Sequence, residues 1–275
     1  MAELALHSPI LSIDELRGYL GHPGVAIADC RFSLADPALG YQKYHAGHIP
    51  GAVYFDLNRD LSSPVEVHGG RHPLPDPHEL AKKLAAAGIS NGTWVVAYDD
   101  ARFGFAARFW WLLRYMGHTQ VALLDGGFGA WQAAGCPVTS EPSTPQPGTF
   151  IPQVQSHMVV DIEQVRSRKD LPGVVLVDSR EAERYLGQRE PIDPVAGHIL
   201  GAVNYPWQQV TDDAGRVRSP EAQQQRWATV KDASELIVYC GSGVTACVNL
   251  LSLELAGVSN TKLYPGSWSD WCSYL

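Results

Sequence analysis

Residues 236–246 read Leu-Ile-Val-Tyr-Cys-Gly-Ser-Gly-Val-Thr-Ala. The first five, Leu236 to Cys240, are apolar and rich in β-branched residues, with no alternation. That is the pattern of a short strand buried on both faces. After Gly241-Ser242-Gly243, apolar residues recur from Val244 to Leu251 at helical spacing. Cys240 therefore falls where a strand ends and a helix is about to begin. The two glycines let the chain bend tightly around whatever Cys240 carries. Successive N–H groups from Ser242 to Ala246 can then converge on its sulfur at the positive end of a helix, as an anion-binding nest. Such a setting favours the thiolate, which is the nucleophilic form. A cysteine ending a buried strand is also commonly an inert core residue. On this stretch alone the two readings stand level.

The whole chain narrows the field. With 275 residues it has room for one large or two ordinary domains, and its 45% hydrophobic content supports a sizeable core. A formal net charge of −8 argues against nucleic acid as a partner. No apolar run approaches membrane-spanning length. The N-terminal MAELALHSPILSIDEL has acidic residues and no basic start, so no signal peptide is expected. Five cysteines are an odd number without a tight Cys-x-x-Cys pair, so neither a zinc site nor a disulfide framework is expected. A reducing cytoplasm fits this usage.

The chain also repeats itself. VAIADCRF and GYQKYHAGHIPGAVYFDL in the first half correspond to VVLVDSRE and PIDPVAGHILGAVNYPW in the second. Asp29 matches Asp178, His48 matches His198, Tyr98 matches Tyr239 and Trp131 matches Trp271. Four landmarks in one order mean a duplicated domain. In this alignment Asp99 faces Cys240, so a carboxylate stands in one copy where a thiol stands in the other. Only the second copy can do sulfur chemistry at that turn. The expected division is 1–136, a proline-rich polar linker at 137–156, and 157–275.

Local signals place the elements. Ser12 caps a helix over 13–20. Asp76 caps another over 77–87, with Pro77 at its first position and Gly88 beyond its end. Strands are expected at 25–29, 94–98, 121–124, 174–178 and 236–240, and helices at 104–115, 220–230 and 244–256. Residues 56–75 read as irregular, with Arg71-His72 in a long loop able to roof a site. Strands alternating with helices imply, in each half, an α/β fold with a mainly parallel sheet covered on both faces. Ligands of such sheets sit beyond the carboxyl ends of strands, where Cys240 lies.

At this point the residues match a family. The loop CGSGVTAC closely resembles the active-site loop of 3-mercaptopyruvate sulfurtransferases, within the tandem-domain rhodanese superfamily. The paired Gly-His-Ile-x-Gly-Ala segments, DGG…W, PGSWSDW and a loop cysteine in the second copy alone, where the first has Asp99, carry the likeness over nearly the whole chain. The resemblance implies two tandem rhodanese-like domains and an enzyme that moves sulfane sulfur through a persulfide on Cys240. The donor is 3-mercaptopyruvate, and the acceptor is a thiol, thioredoxin or cyanide. No metal or organic cofactor is implied, and a monomer without nucleic-acid or membrane partners is expected.

Related phosphatases use Cys-x5-Arg, but Ala246 stands six residues after Cys240. Thiosulfate-using rhodaneses resemble Cys-Arg-Lys-Gly-Val-Thr, whereas Gly241-Ser242-Gly243 carries no charge. A dianion gains less from a neutral loop. Thiosulfate:cyanide transfer remains the alternative activity, and a non-catalytic binding module the alternative class.

The resemblance also assigns residues. Arg184 matches a family arginine that binds the substrate carboxylate, against the reading of a solvated helix face. The family's second carboxylate-binding arginine lies in a Pro-Arg-Asp-Gly segment. The corresponding stretch, Glu190 to Pro194, has none, and Arg189 is the nearby substitute. Arg180 is expected to pair with Asp178. Ser242 is either a donor to the sulfur or substrate carbonyl, or simply a small turn residue. Thr245 is expected to cap its helix through its hydroxyl. The cup of Gly241, Ser242, Gly243, Val244, Thr245 and Ala246 is expected to hold the thiolate and the persulfide without a cation. His48 matches a family histidine linked to a proton relay, but His198 at the same place in the second copy favours a fold role. Cys247, two helical turns along, reads as core.

Overall fold

The computed structural model describes residues 8–275. The stretch 1–7, part of the segment read above for a signal peptide, lies outside them. The chain forms two compact units. They do not divide at a single cut. Residues 62–74, from the first half of the sequence, belong to the second unit, and 213–216, from the second half, belong to the first.

The first unit holds β1 (Ile10–Leu11), α1 (Ile13–Tyr19), β2 (Val25–Asp29), α2 (Leu39–Ala46), β3 (Ala52–Tyr54), α3 (Pro77–Ala86), β4 (Trp94–Tyr98), α4 (Ala106–Tyr115), β5 (Val121–Leu124) and α5 (Gly127–Ala133). Its five strands pair in parallel in the order β1-β5-β4-β2-β3. Every residue of β4 is buried, so the sheet is covered on both faces. Ser12 and Glu15 form a reciprocal capping box at α1. Asp76 accepts from the N–H groups of His78 and Glu79 at the start of α3. The proline-rich stretch from 137 to 155 forms no helix and no named strand, and it is bonded to the first unit. Thr139 bridges to His48, Ile151 N–H donates to Asn91, and Gln155 N–H donates to the Tyr115 carbonyl.

The second unit holds α6 (Ile162–Arg168), β6 (Val174–Asp178), α7 (Ala182–Tyr185), β7 (Val203–Asn204), α8 (Pro220–Trp227), β8 (Glu235–Tyr239), α9 (Ala246–Leu255), β9 (Thr261–Leu263) and α10 (Ser267–Cys272). Four parallel strands run β7-β6-β8-β9. The core repeats that of the first unit. Ile27, Val96, Tyr98 and Phe128 are packed in one, and Leu176, Ile237, Tyr239 and Trp268 in the other.

The polar interior is duplicated too. The Arg31 guanidinium donates to Asp29 and to the Gly47 carbonyl; the Arg180 guanidinium donates to Asp178 and to the Gly197 carbonyl. Tyr98 hydroxyl accepts from Ile49 N–H, and Tyr239 hydroxyl accepts from Ile199 N–H, each at 3.2 Å. His48 stacks on Tyr44 and His198 on Tyr185, each at 3.9 Å between ring centres. These pairs fix the Gly-His-Ile turns against the strand ends in both units. An isolated buried charge is costly, so removing one partner does more harm than the pair does good. Asp178→Ala is accordingly expected to lower the stability of the unit by about 3–5 kcal/mol. Urea denaturation followed by tryptophan fluorescence measures it, and a loss near zero contradicts the assignment.

Candidate active site

Cys240 is the first residue after β8 and is 2% exposed. The first turn of α10 pins its backbone. Cys240 N–H donates to Ser267 Oγ at 3.1 Å, and its carbonyl accepts from Trp268 N–H at 3.0 Å. The Gly241 carbonyl accepts from Ser269 N–H at 2.9 Å. Gly243 has φ of +74°, and a Cβ there would lie 2.3 Å from the Pro265 carbonyl oxygen. Only glycine meets both the left-handed backbone and that approach.

The helix starts at Ala246, two residues later than its apolar spacing suggests, because Val244 and Thr245 are still in the turn. Thr245 takes the N-cap position with φ of −72° and ψ of −14°, and its hydroxyl makes no capping bond. A residue caps with its side chain from extended backbone, so the expected hydroxyl cap is corrected. At the start of α9 the N–H groups of Cys247 and Val248 donate to the carbonyls of Val244 and Thr245, each at 3.1 Å, so the first turn of the helix is tightened. Cys247 is buried, and its thiol contacts the Gly243 carbonyl at 3.5 Å, in keeping with a core residue.

The other copy shows what this turn accommodates. Between β4 and α4, the Asp99 carboxylate accepts from the N–H groups of Ala101, Phe103, Phe105 and Ala106 at 2.8–3.1 Å. Burial pushes this carboxyl upward, and the amide bonds oppose it. This wrapping also explains why α4 starts at Ala106 rather than 104. Arg102 and Phe103 take positive φ within it. Counted from the helix, Phe105 and Ala106 correspond to Thr245 and Ala246. Counted from the strand, Ala101 corresponds to Ser242. The same strand–turn–helix architecture that would surround a sulfur anion at Cys240 thus surrounds a carboxylate at Asp99.

The surroundings of the cysteine loop are cationic, although its own residues are neutral. A Cβ at Gly241 would lie 3.0 Å from Arg71 Nη2 and 3.6 Å from both terminal nitrogens of Arg184. Arg184, nearly buried on α7, donates to Glu190 at 2.7 and 3.2 Å and to Asp193 at 3.1 Å. Arg71 pairs with the other oxygen of Asp193. Burial pulls the Arg71 guanidinium below its ordinary value, and the neighbouring Arg184 charge adds to this. Two guanidinium groups thus stand beside Gly241, next to a loop whose own residues are neutral. Ser242 Oγ lies 2.7 Å from Nδ1 of the buried His72.

The remaining candidates lie elsewhere. Arg189 is exposed on the surface and pairs with Glu183 at 3.1 Å and Glu181 at 3.6 Å. It does not take the place of a second arginine at the loop. Arg180 pairs with Asp178 and Glu190 and lies over the Trp268 ring. His48 is buried in the first unit, its Nδ1 2.8 Å from the Tyr44 carbonyl oxygen. Glu190 and Asp193 had no sequence signal beyond the acidic residues of Arg-Glu-Pro-Ile-Asp, and were missed.

A family model described as a rhodanese-like domain matches residues 12–134 and again 161–274. The chain belongs to the rhodanese-like family. It is 46% identical, over 95% of its own length and 94% of the relative's, to a protein of Pseudomonas aeruginosa described as a probable 3-mercaptopyruvate sulfurtransferase. A thiosulfate sulfurtransferase of Cricetulus griseus is 38% identical over 92% of this chain and 86% of its own. Among solved structures, a 3-mercaptopyruvate sulfotransferase from Escherichia coli matches with a TM-score of 0.84 at 30% identity, covering 95% of this chain and 99% of its own. The duplicated parallel sheets are thus two tandem rhodanese-like domains.

The two loop glycines of this rhodanese-like chain should respond differently to alanine. Gly243→Ala is expected to cost about 2 kcal/mol or more, from left-handed backbone and a clash with main chain. Gly241→Ala meets only side-chain ends, those of Arg71 and Arg184, with no positive φ to strain, and should cost less than about 1 kcal/mol. Thermal denaturation of the two variants compares them; equal losses would contradict the geometry.

Proposed function

We propose that this rhodanese-like protein is a sulfurtransferase that takes sulfane sulfur from 3-mercaptopyruvate onto Cys240 and passes it to a thiol, thioredoxin or cyanide. The observation that carries the reading is the Arg184 guanidinium standing over the residue that follows a buried cysteine, at a turn whose counterpart already wraps an anion. The names of the relatives support it.

The Cys240 thiolate attacks the donor sulfur. The new S–S bond forms as the carbon–sulfur bond breaks, and its electron pair leaves on pyruvate as an enolate. The proton of the donor thiol ends on the enolate carbon, so the enzyme is left with a persulfide anion. Ser242, hydrogen-bonded to His72, is placed to hand that proton across. Amide donors from Ser242 to Ala246 hold the sulfur anion before and after transfer; losing one such donor costs about 3 kcal/mol. Arg184 holds the donor carboxylate through a charge-assisted bond. An acceptor thiolate or cyanide then takes the outer sulfur and restores the thiolate.

Thiosulfate is the second reading. Two guanidinium groups over the loop supply charge that the loop residues lack, and several relatives are named thiosulfate sulfurtransferases. A monomeric, cytoplasmic protein with no nucleic-acid or membrane partner completes the proposal. Among the described residues no helix is long and apolar enough to cross a membrane.

Intact-mass spectrometry after brief exposure to 3-mercaptopyruvate is expected to show one added sulfur atom on the wild type and none on Cys240→Ser. No adduct on the wild type would favour a binding module instead. Comparing kcat/KM for the two donors decides between them. Arg184→Ala should raise KM for 3-mercaptopyruvate roughly 10- to 100-fold. Ser242→Ala should lower kcat about 100-fold.

A further inference from the structure

We propose that Arg71 is a second donor-binding residue: its Nη2, together with Nη1 of Arg184, receives the carboxylate of the sulfur donor. This rests on the reading of the chain as a sulfurtransferase with a carboxylate donor.

The argument begins with which guanidinium nitrogens are already engaged. Arg71 uses Nη1 for Asp193. Arg184 uses Nε and Nη2 for Glu190, and Nη2 again for Asp193. Among the described residues, Nη2 of Arg71 and Nη1 of Arg184 have no acceptor. Both lie near one place. They lie 3.0 and 3.6 Å from the position a Cβ on Gly241 would take, directly beside Cys240. Hydrogen-bond donors held partly out of water with nothing to meet are a cost unless a ligand arrives. Two guanidinium edges facing one small volume match the two oxygens of a carboxylate.

The molecule already holds a carboxylate in this way. Asp193 Oδ1 meets Arg71 and Asp193 Oδ2 meets Arg184 at 3.1 Å, so one carboxylate bridges the same two side chains on their other edge. The spacing of the pair is therefore one that a carboxylate can span.

Arg71 is also held in advance. Gly69 N–H donates to Asp270 at 2.7 Å and Arg71 N–H donates to Ser269 Oγ at 3.2 Å. Gly70 has φ of +82°, and a Cβ there would lie 2.4 Å from the Gly266 carbonyl oxygen. On the far side His72 bonds Ser242. The backbone is thus fixed on both sides of Arg71, and α10, which anchors it, is the helix that pins Cys240. Little ordering remains to be done when the donor binds.

The test uses two donors that share a carbon skeleton, 3-mercaptopyruvate and mercaptoacetone, which lacks the carboxylate. The ratio of their kcat/KM values serves as an internal control for any change in loop shape. In Arg71→Met the ratio is expected to shift roughly 10- to 100-fold against 3-mercaptopyruvate. Arg71→Lys, which keeps the charge without the planar fork, should fall between. An unchanged ratio overturns the proposal and makes Arg71 only a brace for Asp193. Calorimetric titration with pyruvate gives a readout free of sulfur chemistry. Its Kd should rise at least about tenfold in Arg71→Met, and an unchanged Kd overturns the proposal independently. Arg71-dependent pyruvate binding by a wild type that forms no persulfide would uphold the assignment of Arg71 and sink the sulfurtransferase reading.

Discussion

A parallel strand that turns sharply into a helix leaves main-chain N–H groups without carbonyl partners. Much of this molecule follows from how that deficit is met. In the first unit a side chain of the chain itself answers it, the Asp99 carboxylate gathering four of these groups. In the second unit the residue at the same place is Cys240, a thiol where the first copy has a carboxyl group. The turn that follows differs as well, running one residue longer after β4 than after β8.

Positive charge comes up beside the cysteine loop by a route that leaves the loop small. Gly241 has no side chain, and the space beside it is taken by Arg71 and Arg184 arriving from two other segments. Loops of the Cys-Arg-Lys-Gly type carry charge on the loop itself. Here the cations are shared with Glu190 and Asp193, which hold their orientation and balance their charge. A guanidinium fork suits this because it can bond a resident carboxylate on one edge and face a ligand on another.

The sequence made the architecture readable because the signals were local. The strand and glycine turn of 236–246, the proline and aspartate at the head of α3, and the doubled Gly-His-Ile segments all act within a few residues. The late start of α9 and the missing Thr245 cap were not readable, since both depend on where the turn's amides point. The charged setting of the site was harder still. Arg71 and Asp193 are 122 residues apart, and His72 and Ser242 170 apart. Arg184 was found through family likeness, but nothing near Arg71 in sequence shows that its loop joins the second unit. Arg189 looked better placed because it is close along the chain, and it is closeness in space that counts.

The membership of residues 62–74 in the second unit has a consequence for how such a chain can be divided. A fragment beginning after the proline-rich stretch would carry the cysteine, the cup and Arg184. It would lack Arg71 and His72, because these are encoded ahead of the whole first sheet. Two side chains that pack beside the cysteine loop are thus encoded with the other half of the sequence, so a cut between the halves separates residues that meet in one folded unit.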